Sequence, residues 1–169
     1  MSSALSRWNG LPSDQAEEEV LPCCGSRAWA RGMTARRPIR DESSLFVTSD
    51  DIWRSLGEAD WMEAFRSHPR IGESHPMSGS AQSTAWSGEE QGRVSGAADE
   101  VNAALAEGNR IYEQRFQRTF IVCATGKSPL EILEILRQRL GNDEIAEMQE
   151  AAEQQRQIAR LRLKKWLYL

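Results

Sequence analysis

Val101, Ala104, Leu105, Gly108, Ile111, Tyr112 and Phe116 fall at offsets 0, 3, 4, 7, 10, 11 and 15, which is the recurrence of one helix face. That pattern most restricts what the chain can fold into, and much of the sequence repeats it. In the last stretch Met148, Ala151, Ala152, Ile158, Ala159, Leu163 and Trp166 mark one broad apolar arc at 3.6 residues per turn. Between the two, Ser128, Pro129 and Glu131 supply an N-cap, a proline at the first helical position and the acid of a capping box. A helix is expected from there to Leu140, stopped by Gly141. The last helix is expected from about Asp143 to near the end.

Upstream, "SDQAEEEVL" offers a cap followed by early acids, starting near Ser13, and "GSRAWARGM" spaces Trp29 and Met33 four apart. "RRPIRDESSLF" interrupts the pattern, after which Asp50 or Asp51 is expected to cap a helix carrying Ile52, Trp53 and Leu56. "DWMEAF" continues the helical pattern to the first histidine. Only "FIVCA", Phe120, Ile121, Val122, Cys123 and Ala124, reads as extended, and it has no strand partner. The predicted fold class is therefore all-α. At 169 residues one compact multi-helix domain is expected over residues 13–169. Residues 1–12, with little pattern, are expected to form a poorly ordered arm.

Lys and Arg number 21 against 25 Asp and Glu, a net charge of −4, so no basic field points to nucleic acid. The three cysteines, with Cys23 beside Cys24, do not suit a disulfide framework and fit a reducing compartment. No apolar run is long enough for a bilayer, and "MSSALSRWNGLPSDQ" lacks the apolar core of a signal peptide. A soluble, intracellular protein is expected, without a membrane partner.

Both histidines, His68 and His75, precede proline. Pro69 pushes His68 out of the helical region, so the helix carrying Trp61, Met62 and Phe65 must end there with the imidazole at a fixed corner. Such a histidine is either a capping group or, favoured as imidazolium by the helix C-terminus, a general acid or base. His75 has only "GESHPMSGSAQSTA" around it, residues 72–85, a long Gly/Ser loop read as a mobile lid. Ser87 and Glu90 stand at the capping-box interval. A carboxylate at a helix start beside that loop also suits orienting a histidine or a polar ligand. Arg162 lies inside the apolar arc of the last helix, whereas Arg160 lies opposite and is expected to be solvated surface. An inward guanidinium needs an anionic or polar partner, either Asp or Glu of the chain or a substrate carboxylate. Two His and three Cys without close spacing give no metal site. "ATGKS" lacks the first glycine of a phosphate loop.

Taken jointly, "WNGLPSDQAEEEVLPCCGSRAWARGM", "DWMEAFRSHPRIGE", "WSGEEQ", "NRIYEQRFQRTFIVCATGKSPLEIL", "RLGND" and "QIARLRL" make the chain resemble the 2-oxo-4-hydroxy-4-carboxy-5-ureidoimidazoline (OHCU) decarboxylases, in plant-like or algal form. The resemblance implies an all-helical, cofactor-free enzyme of urate degradation, usually a homodimer, that converts OHCU to (S)-allantoin and carbon dioxide. It places the catalytic histidine on His68, with Pro69 beside the ligand. The S-x-x-E-Q motif falls on Ser87, Glu90 and Gln91, and the active-site arginine on Arg162. The backbone of Phe120 to Ala124 falls on the segment that hydrogen-bonds the ligand. It also implies a peroxisomal or cytoplasmic setting, although "KKWLYL" is not an S-K-L type signal, and a fused or partner transthyretin-like hydroxyisourate hydrolase domain. One departure is "RFQRTF", with Gln117 where many members have a glycine. The rival expectation is a noncatalytic helical protein-binding module, with Arg162 in a structural ion pair.

The implied chemistry suits these residue types. The departing carboxylate sits one carbon from an imine carbon, so the ring itself accepts the electron pair without pyridoxal, thiamine or metal. What is left for the protein is to orient the anion with Arg162, fix His68 or the substrate with Glu90, and move a proton through His68 to one face of a planar intermediate.

Overall fold

Ser2 lies in extended backbone and its hydroxyl accepts the Leu5 N–H at 3.2 Å, which starts helix α1, Ser3–Asn9. The computed structural model describes residues 2–71 and 99–169, and it corrects the expectation of a poorly ordered arm over residues 1–12. A seven-residue helix does not persist alone in water. This one is held because Leu5 and Trp8 are fully buried, the Trp8 indole N–H donates to the Ala16 carbonyl at 2.9 Å, and its ring meets Trp166 edge-on with centroids 5.8 Å apart. Arg7 adds a two-pronged pair to Glu19, at 2.7 and 2.6 Å. Two buried apolar residues in a dozen make too sparse a pattern to read from sequence.

Helix α2, Ser13–Val20, begins behind Pro12 without a side-chain cap, so Ser13 is its first residue rather than its cap. A 3₁₀ turn, Leu21–Cys23, leads toward α3, Arg27–Ala35, which Ser26 caps through the Trp29 N–H. Helix α4 is Glu42–Ser55, and its cap is Asp41, accepting the Ser44 N–H at 2.8 Å. Asp50 and Asp51 thus lie inside α4 and do not begin a helix. The break caused by Pro38 ends sooner than the charged run suggests, and Asp50 is buried to take an ion pair from Arg156 at 2.8 Å. Helices α3 and α4 approach closely at Gly32, where a Cβ would stand 2.8 Å from Ile52.

Helix α5, Glu58–Arg66, is followed after the undescribed residues by α6, Asp99–Phe116, then α7, Pro129–Arg139, and α8, Glu144–Leu167. The full capping box at Ser128 and Glu131 is present. Leu105, Tyr112 and Phe116 of α6 are buried, while Ile111 at the edge of the face is 40% exposed. Gly108 permits the contact of α6 with α7, since a Cβ there would reach 2.5 Å from Leu136. Among the described residues there are eight α-helices and no strand, as an all-α class requires, and no helix is long and apolar enough to cross a membrane.

The residues group into two compact units, one of Met1–Ala64 with Arg156–Leu169 and the other of Phe65–Gln155. The first has a core built around Trp8, Trp29, Leu45 and Leu163. The second is built around Leu105, Tyr112, Phe120, Ile132 and Leu136. Gln117 follows α6 with φ 55, the left-handed conformation that favours glycine. Its N–H bonds the Glu113 carbonyl at 2.9 Å, and its side-chain amide donates to the Gln114 carbonyl at 2.7 Å. The turn shape that glycine would give is therefore kept by a residue that compensates with a hydrogen bond.

Candidate active site

The His68 N–H donates to the Phe65 carbonyl at 3.2 Å, the last turn after α5, and Pro69 beyond it is buried. Pro69 has no N–H to continue the helix and its ring disfavours helical backbone at His68, so the corner follows from the dipeptide. The residues after it are tied down in turn. Arg70 makes a fork to both carboxylate oxygens of Glu113 on α6, at 2.5 and 2.7 Å, and the Asn109 side-chain amide donates to the Ile71 carbonyl at 3.3 Å. The half-buried imidazole has its Nε2 only 2.6 Å from Oε1 of Gln155 on α8.

Phe120 to Ala124 run without regular structure, yet all five are buried. Such a segment is stable only if its backbone polar groups are accounted for. Arg139 Nη1 donates to the Ile121 carbonyl at 2.5 Å, while its Nε and Nη2 donate to Glu147 Oε1 at 2.9 and 2.5 Å. Glu147 is fully buried and also accepts from the Tyr112 hydroxyl at 2.6 Å and the Asn142 side chain at 2.9 Å. Burial first, and then the bond to Glu147, push the Tyr112 phenol well above its usual range. The Cys123 N–H donates to Gln154 Oε1 at 2.9 Å, and its carbonyl accepts from Lys127 Nζ at 2.8 Å. The amide and carbonyl of Val122 have no hydrogen-bond partner among the described residues.

In the unit of Met1–Ala64 with Arg156–Leu169, Arg162 points inward with no exposure and Nη1 donates to the Pro22 carbonyl at 3.3 Å. Cys23 and Cys24 are buried beside it as thiols, in no disulfide. Burial raises both, Cys24 to about 12, and the charge of Arg162 pulls each back only in part. They therefore stay protonated and are poor nucleophiles. Arg160 is half exposed, as its outward position predicts, but it is not simply solvated: it lies over the Phe46 ring at 4.6 Å and 3.4 Å from Asp50. Among the described residues no group of three His, Cys, Asp or Glu could hold a metal ion.

A model of the family "OHCU decarboxylase" matches residues 9–164. The chain belongs to the OHCU decarboxylase family. It is 35% identical over 152 residues to the uric acid degradation bifunctional protein TTL of Arabidopsis thaliana, covering 88% of this chain and 46% of that protein. The chain thus spans about half the length of that curated relative. Among solved structures it is similar to an OHCU decarboxylase crystallised in the presence of (S)-allantoin, with TM-score 0.77, 31% identity and coverage of 90% of this chain and 99% of that one. An (S)-allantoin synthase shares the fold, with TM-score 0.71 at 16% identity over 96% of this chain and 53% of that one.

Of the residues that the family resemblance singled out, His68, Pro69 and Phe120 to Ala124 lie in the unit Phe65–Gln155, and Arg162 lies in the other. Ser87, Glu90 and Gln91 fall outside the described residues, as do His75 and the expected lid at 72–85. Sequence reasoning missed Gln154, Gln155, Arg139 and Glu147. A signal for two of them was present. Glu147 and Gln155 stand four before and four after Ala151, within the apolar arc of α8. A polar residue at an inward position implies a buried partner, the same argument that singles out Arg162.

Proposed function

We propose that this chain catalyses the cofactor-independent decarboxylation of OHCU to (S)-allantoin and carbon dioxide in urate degradation, with His68 as general acid/base. The observation that carries the reading is the His68 corner, fixed by Pro69 and by Gln155 at 2.6 Å, in a chain matched by the family model over residues 9–164. Breaking the bond to the carboxylate leaves an electron pair that the adjacent ring imine takes up, and a proton must then return to carbon from one side. In this reading His68 handles that proton, Glu90 orients His68 or the substrate, and Arg162 holds an anionic or polar substrate group. Pro69, Ser87 and Gln91 line the ligand. The backbone of Phe120 to Ala124 hydrogen-bonds the ligand, with the groups of Val122 among those left for it, since the N–H and carbonyl of Cys123 are already engaged.

The same reading has the chain act as a homodimer in the peroxisome or cytosol. It also has the chain work with a transthyretin-like hydroxyisourate hydrolase domain, fused or separate. The bifunctional plant relative, of which this chain matches 46%, supports the pairing. The test is to add purified protein to freshly generated OHCU and follow circular dichroism. Accelerated decay with (S)-allantoin in excess is expected. The unassisted rate with racemic product would overturn the reading and favour a binding module.

A further inference from the structure

We propose that Gln155 is a positioning residue for this site, its side-chain oxygen accepting the Nε2–H of His68 and thereby fixing both the ring plane and the nitrogen that keeps its proton. The catalytic part of this rests on the function proposed above; the hydrogen bond does not. Gln155 is fully buried on a helix face whose neighbours three and four residues away are Ala151, Ala152, Ile158 and Ala159. A buried amide on an apolar face is costly unless its polar atoms are paired. At 2.6 Å from Nε2 the partner atom must be the oxygen, since a nitrogen-to-nitrogen bond does not close to that distance. An accepting oxygen requires Nε2 to carry hydrogen, which sets the tautomer of the neutral ring.

The preceding residue has a parallel task. Gln154 donates its amide nitrogen to Glu150 at 2.9 Å, which leaves its oxygen to accept the Cys123 N–H at 2.9 Å. Consecutive residues of α8 therefore hold the imidazole and the buried segment Phe120 to Ala124. Because both hang from one helical turn, the spacing between proton carrier and backbone segment is set by a rigid element rather than by a loop.

The test combines proton and nitrogen NMR with kinetics on the full chain. There are only two histidines, so His75→Asn assigns His68. At a pH where His68 is neutral, a solvent-protected ring proton on Nε2 is expected in the wild type. It should disappear in Gln155→Met and persist in Gln155→Glu, which keeps an accepting oxygen. The kcat of Gln155→Met should fall about 10-fold or more with KM within about twofold, as when the group orienting a histidine is lost. A wild-type spectrum with the proton on Nδ1 overturns the proposal without any variant. An unchanged kcat in a Gln155→Met protein that has lost the ring proton overturns the positioning role. Wild-type protein that holds the ring proton but never accelerates OHCU decay would remove the reaction while leaving the hydrogen bond in place.

Discussion

Glu147→Gln removes one charge and almost no volume at a point where the structure concentrates four hydrogen bonds. Glu147 is fully buried, and its Oε1 alone accepts from Tyr112 and from two nitrogens of Arg139, a residue 4% exposed. The substitution leaves a buried guanidinium without its counter-charge, a change that typically costs about 3–5 kcal/mol. A chain of this size shifts its midpoint by about 2–4 °C per kcal/mol, so a fall of roughly 10 °C is expected. Denaturant unfolding should show a lower midpoint with an unchanged slope, because the surface exposed on unfolding is the same. Arg139 also donates to the Ile121 carbonyl, so the variant should loosen Phe120 to Ala124 and expose their amides to faster hydrogen exchange. Adding Arg139→Met should cost much less in the Glu147→Gln background than alone, with a coupling of at least about 1 kcal/mol. A loss under about 1 kcal/mol for Glu147→Gln would mean that the buried charge of Arg139 does not depend on its partner.

Trp8→Ala should cost about 3–5 kcal/mol in denaturant unfolding, since the ring is fully buried and its N–H bonds Ala16; a change under about 1 kcal/mol would return residues 1–12 to the status of an arm. Gln117→Val, which places a β-branched residue at φ 55, should destabilise by about 2 kcal/mol, whereas Gln117→Asn should be nearly neutral by thermal unfolding. Glu19, with an ordinary value of 4.5, is held lower chiefly by its hydrogen bonds from Arg7, with Trp166 adding to them against the opposing effect of burial. Its unfolded form therefore binds protons first, and the stability it contributes is full above about pH 5 and is lost as pH falls through its depressed folded value. Glu19→Gln should lower stability by about 1 kcal/mol at pH 7 and flatten the decline between pH 5 and 3; parallel pH curves would contradict this.

How much of the molecule could be read in advance depended on whether the signal was local. The capping box at Ser128 and the face of α6 are written in residues three and four apart, and both are present. The His68 corner is fixed by a single neighbouring proline. Arg162 was legible because a cation inside an apolar arc is conspicuous, and it is fully buried. Gln155 occupies the same arc without a charge to draw notice, and its partner is 87 residues away, a distance at which periodicity carries no information. Helix α4 starts at Glu42, ahead of Asp50, because tertiary packing allows a shorter break than Pro38 and its charged neighbours suggest. The arm became a helix for the complementary reason: Trp8 is secured by Ala16 and Trp166, neither of which marks residue 8 from within its own segment.

Whether His68 carries the proton is read from the rate at which purified His68→Ala forms (S)-allantoin from fresh OHCU, set beside wild type and His75→Ala. The role of His68 as proton carrier predicts that His68→Ala loses roughly 10²-fold or more in kcat while its thermal midpoint stays within a few degrees, and that His75→Ala stays near wild type. A folded His68→Ala protein that makes (S)-allantoin at the wild-type rate would contradict it.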